Sequence, residues 1–390
     1  LVKQKDDDDR FKLTKASQKV EAYLNRKCYP VQPFSFALAL GKIDPETGLP
    51  GLPQGCIIEV AGANGKGKSC MLEHSIKAIQ DENPEYTCLI LAYEPVNFVR
   101  MEDVGIDLNR LYILDYSKVD EGIELDTAEQ GLNITMFQAQ NDPNLKLVGI
   151  DSIGGMPVRK EIMDEKGEFL SVDKTPQMAI RATILTRFIN QWNTLDPNTR
   201  PILFLINHMK DQIEAGGFGM DMMKVNRIGE NLNYVTPGGQ ALKYACDVRV
   251  KIDGRKIEVK EGGRPVKHPI FDNNIQTGLE IHLEIYKNKF CGNQGSRRAV
   301  GKFDFETKSF DIVDETLSYA AYLDICGISK GATGMYEGII PDKKLRIAQA
   351  KEYFKENPDK LRDIQKEIAK HSNELFGLKK KEKPDTDKSL

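Results

Sequence analysis

The octapeptide Gly62-Ala-Asn-Gly-Lys-Gly-Lys-Ser69 puts three glycines and two lysines directly after the apolar run "CIIEVA" (56–61) and at the head of a helix-length segment, Ser69–Gln80. It fits G-x-x-x-x-G-K-[ST] at every fixed position, in the strand–loop–helix context that motif requires. Glycine leaves backbone N–H groups unguarded, so such a loop can wrap a phosphate, and the following helix N-terminus adds partial positive charge. Gly62, Ala63, Asn64, Gly65, Lys66, Gly67, Lys68, Ser69 and Cys70 are therefore the candidate nucleotide-binding set. Lys68 is expected to reach the β- and γ-phosphates of ATP and Ser69 to ligate Mg²⁺, whereas Lys66 has no required role. The alternative is an ordinary glycine-rich turn before a helix.

Short apolar, β-branched runs recur along the chain: "CIIEVA", "CLILAY" (88–93), "LKLVGID" (145–151), "ILFLIN" (202–207), "DVRVKID" (247–253) and "LEIHLEIY" (279–286). The first four are nearly continuous in apolar character, which predicts strands of a parallel sheet buried on both faces; the last two alternate, which predicts antiparallel strands with one wet face. Helix-length segments such as Ser69–Gln80 and Gln177–Trp192 lie between them, so the fold class is α/β with a mainly parallel twisted sheet. Residues 1–30 are polar, with a short helical reading over "TKASQKVEAYLNRK". Past residue 312 no buried strand is evident, and Leu361, Ile364, Ile368 and Leu375 follow helical spacing. The expected organisation is an N-terminal segment (1–30), a core (31–312) and a small, mainly helical C-terminal domain with a disordered tail (313–390).

Composition narrows the class. No apolar run approaches the ~20 residues of a membrane span, and the first residues lack a signal-peptide core, so the cytoplasm is the expected compartment. Seven scattered cysteines without C-x-x-C spacing argue against a zinc site or a disulfide framework. A formal charge of −3 gives no global attraction to nucleic acid, so any such attraction is local.

Two acids complete a phosphate-transfer reading. Asp151 ends an apolar run, where a second metal ligand is expected, and Ser152 can hold water or the metal shell. A cap or turn role is the alternative. Glu94 ends the strand after the Ser69–Gln80 helix, so a parallel sheet brings it to the phosphate edge, where a carboxylate can orient and deprotonate water. Its alternative is an exposed loop acid before Pro95.

The segments "GLPQGCIIEVAGANGKGKS", "GIDSIGGMPVRKEI", "ILFLINH", "TPGGQALKYACDVRVKI" and "EIYKNKF" occur in the order found in the bacterial RecA recombinase family, and the chain resembles that family from about Val31 to Gly331. The resemblance implies a RecA-type P-loop NTPase core, ATP and Mg²⁺ as cofactors, Lys68 and Ser69 as the loop pair, Glu94 as the catalytic glutamate, and Asp151 with Ser152 as the metal-side pair. His208 falls where the family has a glutamine that senses the γ-phosphate; this is a departure, and a structural loop histidine is an equal reading. The resemblance makes residues 1–30 an oligomerisation segment that packs on the next subunit, and Lys287 and Lys289 match lysines that reach the ATP of a neighbouring subunit, which would tie hydrolysis to self-association into a helical homo-oligomer. By themselves they read as solvated charges.

The resemblance also implies that residues 154–169 and 208–239 hold single-stranded DNA. Lys210, Lys224 and Arg227 are offset by Asp211, Glu214, Asp221 and Glu230, so no strong basic footprint marks the segment. Backbone N–H groups at Gly238 and Gly239, ahead of Gln240, can bind phosphate without net charge. Met156, Met209, Met222 and Met223 can wedge between bases or simply pack. Arg181, Thr183 and Arg187 are further phosphate candidates, with surface ion pairing as the alternative.

Three functions remain open at this level. The first is an ATP-dependent strand-exchange recombinase that forms filaments on single-stranded DNA and pairs it with homologous duplex. The second is a hexameric RecA-fold helicase or branch-migration ATPase, and the third a non-catalytic DNA-coating protein switched by ATP.

Overall fold

The computed structural model describes residues 16, 21–23, 25–115, 127–164, 166, 168–171, 180–211, 234–235, 238–270, 273–290 and 297–372. Of the N-terminal helical expectation the described residues include Ala16 and Glu21 to Tyr23, which are helical, and Asn25 to Lys27, which are not. The rest of that segment, Leu375, Met222, Met223, Lys224, Arg227 and the tail lie outside the described residues. No helix of the described residues is long and apolar enough to cross a membrane.

One nine-stranded sheet organises the molecule. In chain order its strands are β1 (Ile57–Gly62), β2 (Thr87–Ala92), β3 (Leu111–Asp115), β4 (Leu145–Asp151), β5 (Ile202–His208), β6 (Val248–Glu258), β7 (Gln276–Asn288), β8 (Arg297–Asp304) and β9 (Ser309–Phe310). Across the sheet they run β9-β8-β7-β6-β1-β5-β4-β2-β3. From β6 to β3 every neighbouring pair is parallel, and from β6 outward to β9 every pair is antiparallel.

The near-continuous apolar runs follow from coverage of both faces. On one face Ile58, Val60, Phe204 and Ile206 pack under Met71, Leu72, Ile76 and Ile79 of a helix, α2 (Lys68–Glu82), whose predecessor α1 is Phe34–Leu40. On the other, Ile57, Leu89, Leu91, Val148, Ile150, Leu203 and Leu205 meet the helices over Ala128–Asn141 and Ile180–Trp192. Strand residues of odd and even number thus reach different layers, and each buried side chain of this size contributes about 1.5–3 kcal/mol.

The expectation that "DVRVKID" is purely antiparallel is corrected in part. Val248 to Lys251 pair parallel with Ile58 to Ala61 of β1, while the rest of β6 pairs antiparallel with β7. Its amphipathic alternation reflects the exposed outer half, and the inner half is buried like the parallel strands. β3, β8 and β9 were not anticipated.

Beyond residue 312 the chain is not helical alone. Helices Ile312–Tyr322, Ile347–Glu356 and Pro358–Lys370 enclose three short antiparallel strands, Ser329–Lys330, Tyr336–Ile340 and Lys343–Leu345. Tyr336 is fully buried there among Leu317, Phe354, Leu361 and Ile368, with Phe34 and Leu38 of α1 entering the same cluster. Glu315 joins the two parts by accepting from the Phe34 and Ser35 amides at 2.9 and 2.7 Å.

Candidate nucleotide and DNA site

The carboxyl ends of β1, β2, β4 and β5 meet at one edge, with Gly62 in register with His208 and Ala92 with Asp151. This is where open parallel sheets place ligands. The phosphate loop rises from β1 and delivers Gly67, at φ +94°, as the N-cap of α2. A Cβ on Gly67 would meet Ile281 Cδ1 at 2.6 Å, and one on Gly62 would meet the Ile252 carbonyl oxygen at 2.4 Å. Glycine is thus needed at both positions for close approach, and at Gly67 for the left-handed backbone as well.

Lys68 is nearly buried, and its Nζ donates to the Gly62 and Ala63 carbonyl oxygens at 3.1 and 2.8 Å. Burial lowers its pKa, against the raising influence of the Asp151 and Glu94 charges. Ser69 Oγ donates to Asp151 Oδ2 at 2.9 Å. Burial raises the Asp151 carboxyl above the usual carboxylate range, the Ser69 hydrogen bond opposing and the Glu94 charge reinforcing the shift. A hydroxyl and a carboxylate are hard oxygen donors, and together they suit Mg²⁺, which keeps its remaining positions for phosphate oxygens and water.

Glu94 Oε1 accepts from Ser152 Oγ at 2.5 Å and shares a 2.6 Å hydrogen bond with His208 Nε2. Burial acts to raise its pKa, but the Ser152 and His208 hydrogen bonds and the charges of His208 and Lys68 outweigh it, leaving the carboxyl below its ordinary value. With Glu94 ionised, that bond places a proton on His208 Nε2. His208 therefore belongs to the acidic cluster at the phosphate edge.

These groups line an open cleft of about 1020 Å³, with Asn64, Gly65, Lys66, Gly67, Cys70 and Gly254. Lys66 is tied across the cleft to the Gly254 carbonyl at 2.8 Å and to Asp253 at 3.0 Å, so it anchors the loop to β6. Cys70 is half-buried, and its thiol is pushed far up by burial. The sequence reading missed the other walls, which include Arg100, Lys256, Lys308, Leu279, Phe303 and Phe305. Arg100 leans on buried Glu73, one turn beyond Ser69, through an Nε–Oε1 hydrogen bond of 3.0 Å. No local motif marks these residues, because they come from segments far apart in the chain: a helix at Phe98–Val104, β6, β7, β8 and the turn after β8.

Lys287 and Lys289 are not at this edge. Lys287 is opposite Arg249, which is itself opposite Glu59, near the amino-terminal half of β1. Lys287 Nζ donates to the Lys243 and Tyr244 carbonyls at 2.8 and 2.9 Å, at the C-terminal end of the short helix Gly239–Ala245. Lys289 pairs with Asp247 at 2.9 Å. Burial and the adjoining Lys289 charge lower the Lys287 pKa.

Of the DNA candidates, Thr183 and Arg187 lie on the exposed side of the Ile180–Trp192 helix. Arg181 is engaged with Glu161 at 2.8 Å and with the Gly154 carbonyl. Gly238 and Gly239 have positive φ, and a Cβ on them would strike Leu242 and Ala182 at 2.7 and 2.9 Å, so helix packing alone accounts for both glycines. Met156 is fully buried in the cluster against the sheet, which favours packing over a base wedge. Lys210 begins a two-residue strand and Gln240 lies in the Gly239–Ala245 helix.

A family model described as the RecA N-terminal domain matches residues 30–292. A protein RecA of Aquifex pyrophilus is 25% identical over 358 residues, covering 89% of this chain and 84% of the relative. Protein RecA of Macrococcus caseolyticus is 24% identical over 337 residues, covering 84% and 79%. That of Staphylococcus epidermidis is 24% identical over 345 residues, covering 86% and 81%. With the family model spanning well over half of its length, the chain belongs to the RecA family.

Proposed function

We propose that this protein is an ATP-dependent DNA strand-exchange recombinase of the RecA type, acting in homologous recombination and repair. The observation that carries the reading is the placement of Glu94 between Ser152 and His208, beside Lys68 and the Ser69–Asp151 pair. The phosphate loop binds the triphosphate through its amides, and Lys68 exchanges the Gly62 and Ala63 carbonyls for β- and γ-phosphate oxygens. Ser69 and Asp151 would hold Mg²⁺, which would supply charge neutralisation at the phosphates. Glu94 orients the attacking water and takes its proton, and Ser152 and His208 keep that carboxylate aimed and ionised.

Lys287 and Lys289 face away from their own chain's phosphate loop, which supports their acting on ATP bound to an adjacent copy. The complete site then lies between protomers, and ATP favours the assembled filament. Single-stranded DNA runs along residues 154–169 and 208–239, with Thr183, Arg187, Lys210, Arg227 and the amides of Gly238, Gly239 and Gln240 as contacts. Arg181 contacts DNA only after leaving Glu161. The cytoplasm is the compartment consistent with this work.

ATP turnover measured with and without single-stranded DNA, alongside electron microscopy with a slowly hydrolysed ATP analogue, tests the proposal. DNA-stimulated turnover and extended helical filaments are expected. Closed rings would turn the assignment to a motor, and absence of turnover with retained ATP binding to a non-catalytic switch.

A further inference from the structure

Strand β1 is apolar except for Glu59, and Glu59 is fully buried. Its Oε1 accepts from Asn207 Nδ2 at 2.9 Å and its Oε2 from Arg249 Nε at 2.6 Å. Asn207 is also fully buried, and Arg249 is 4% exposed. Taking a carboxylate and a guanidinium out of water is seldom repaid relative to an apolar pair of the same volume, so stability alone does not explain this cluster.

Its position does. Asn207 immediately precedes His208, and Asn207 Oδ1 accepts from the His208 amide at 3.0 Å. Arg249 is in register with Glu59 on one side and Lys287 on the other. Side chains directly opposite on neighbouring strands share a face of the sheet. Hydrogen bonds therefore run from Glu94 through His208, its backbone amide, Asn207 and Glu59 to Arg249, and Lys287 stands opposite Arg249 on the next strand.

We propose that Glu59, Asn207 and Arg249 are positioning residues that join the hydrolytic edge of one protomer to its Lys287–Lys289 edge. The inference rests on the reading of those lysines as reaching an adjacent copy's nucleotide.

The chemistry at each link is directional. A carboxylate accepts on both oxygens, so it takes Arg249 on one and the Asn207 Nδ2 on the other. That fixes the Asn207 carboxamide with Oδ1 toward the His208 amide, and so sets the backbone from which the His208 ring reaches Glu94. Glutamine at position 59 presents one N–H₂ where an acceptor is needed, forcing either Arg249 or Asn207 away. At the far end the Glu59 charge balances Arg249, whose positive charge bears on Lys287.

The test uses the full chain with ATP, Mg²⁺ and single-stranded DNA. Glu59→Gln and Asn207→Ala should keep a cooperative melting transition and ATP-analogue binding within about threefold of the parent, while kcat falls by about tenfold or more with KM changed less than that. Arg249→Lys should recover part of the rate that Arg249→Met loses, because it keeps the charge. Added to Lys287→Ala, Glu59→Gln should cost less than about twofold more, as expected of residues acting in one unit.

A second readout needs no turnover. In the unliganded protein with ¹⁵N-labelled histidine, the His208 ring resonance should move in Glu59→Gln and Asn207→Ala in the same direction as in Glu94→Gln. A lowered melting temperature with unchanged kcat, or an unmoved His208 resonance, overturns the proposal and leaves a purely structural pair. If the parent protein hydrolyses no ATP, the functional reading fails, and the resonance alone decides whether the row positions His208.

Discussion

The two ends of strand β1 hold ammonium groups in similar ways and different settings. At the carboxyl end Lys68 donates to the Gly62 and Ala63 carbonyls inside a cradle that also contains Ser69, Asp151 and Glu94. At the amino end Lys287 donates to the Lys243 and Tyr244 carbonyls, with Lys289 on Asp247. Lys68 has every other part of a phosphate site within its own chain. Among the described residues Lys287 and Lys289 meet helix carbonyls and a carboxylate, and on the proposed reading their nucleotide comes from a second copy. On the proposed reading one end of the strand is a finished half-site, and the other is a half-site awaiting a second copy.

The largest effect expected on this contrast is at the finished half. Lys68→Ala removes the one buried cation of the loop, and ATP affinity, read by isothermal titration, should fall by about a hundredfold or more. Glu94→Gln should leave that affinity close to the parent's and lower steady-state turnover by roughly 10²–10⁴-fold. An unchanged turnover would remove Glu94 from the mechanism.

Lys287→Ala with Lys289→Ala should behave differently again. Nucleotide binding to the unassembled chain should be kept, and DNA-stimulated turnover should drop by about a hundredfold, less than the loss of the general base at its upper range. Mixed in equal amounts with Glu94→Gln, the lysine variant should regain activity at about one interface in four, where an intact Glu94 faces intact lysines. Two inactive proteins that stay inactive together would show that the lysines do not act across copies.

Smaller effects separate metal binding from fold stability. The Asp151 carboxyl is raised by burial, so the folded chain holds this proton more tightly than the unfolded one does. Its charge therefore opposes folding as pH rises above the ordinary carboxylate range. Asp151→Asn should melt roughly 1–3 °C higher than the parent at pH 7 without Mg²⁺, the gap should close toward pH 4, and the rise in melting temperature produced by ATP with Mg²⁺ should be lost. Least affected should be Lys66→Ala, whose ion pair with partly exposed Asp253 is worth at most about 1 kcal/mol, with ATP affinity within about threefold of the parent.

The finished half-site was legible because its parts are local or edge-bound. The phosphate loop is contiguous, and Glu94 and Asp151 each end an apolar run, so a parallel sheet had to bring them to one edge. His208 was ambiguous in sequence because nothing near it marks Glu94, far along the chain, as its neighbour, and the structure puts the two in contact at 2.6 Å. Glu59 gave a signal that went unused: it is a lone acid in a run otherwise apolar enough to be buried on both faces. Arg100, Phe303 and Phe305 gave none, since nothing in their neighbours marks a cleft wall. The strands after residue 312 were missed because they are two to five residues long and bury only Tyr336 and Leu345 in the core.

The amino-acid sequence by itself determined the α/β class, the phosphate loop and the acids at the ends of its strands. Those features are written in short-range pattern: apolar periodicity sets which segments become buried strands, and glycines set where backbone can approach phosphate. Only the tertiary structure decided that Lys287 and Lys289 sit at the opposite end of β1 from Lys68, and that Glu59, Asn207 and Arg249 meet between them. Strand order and register, which depend on how distant segments pair across the sheet, fix those neighbours, and no local spacing encodes them.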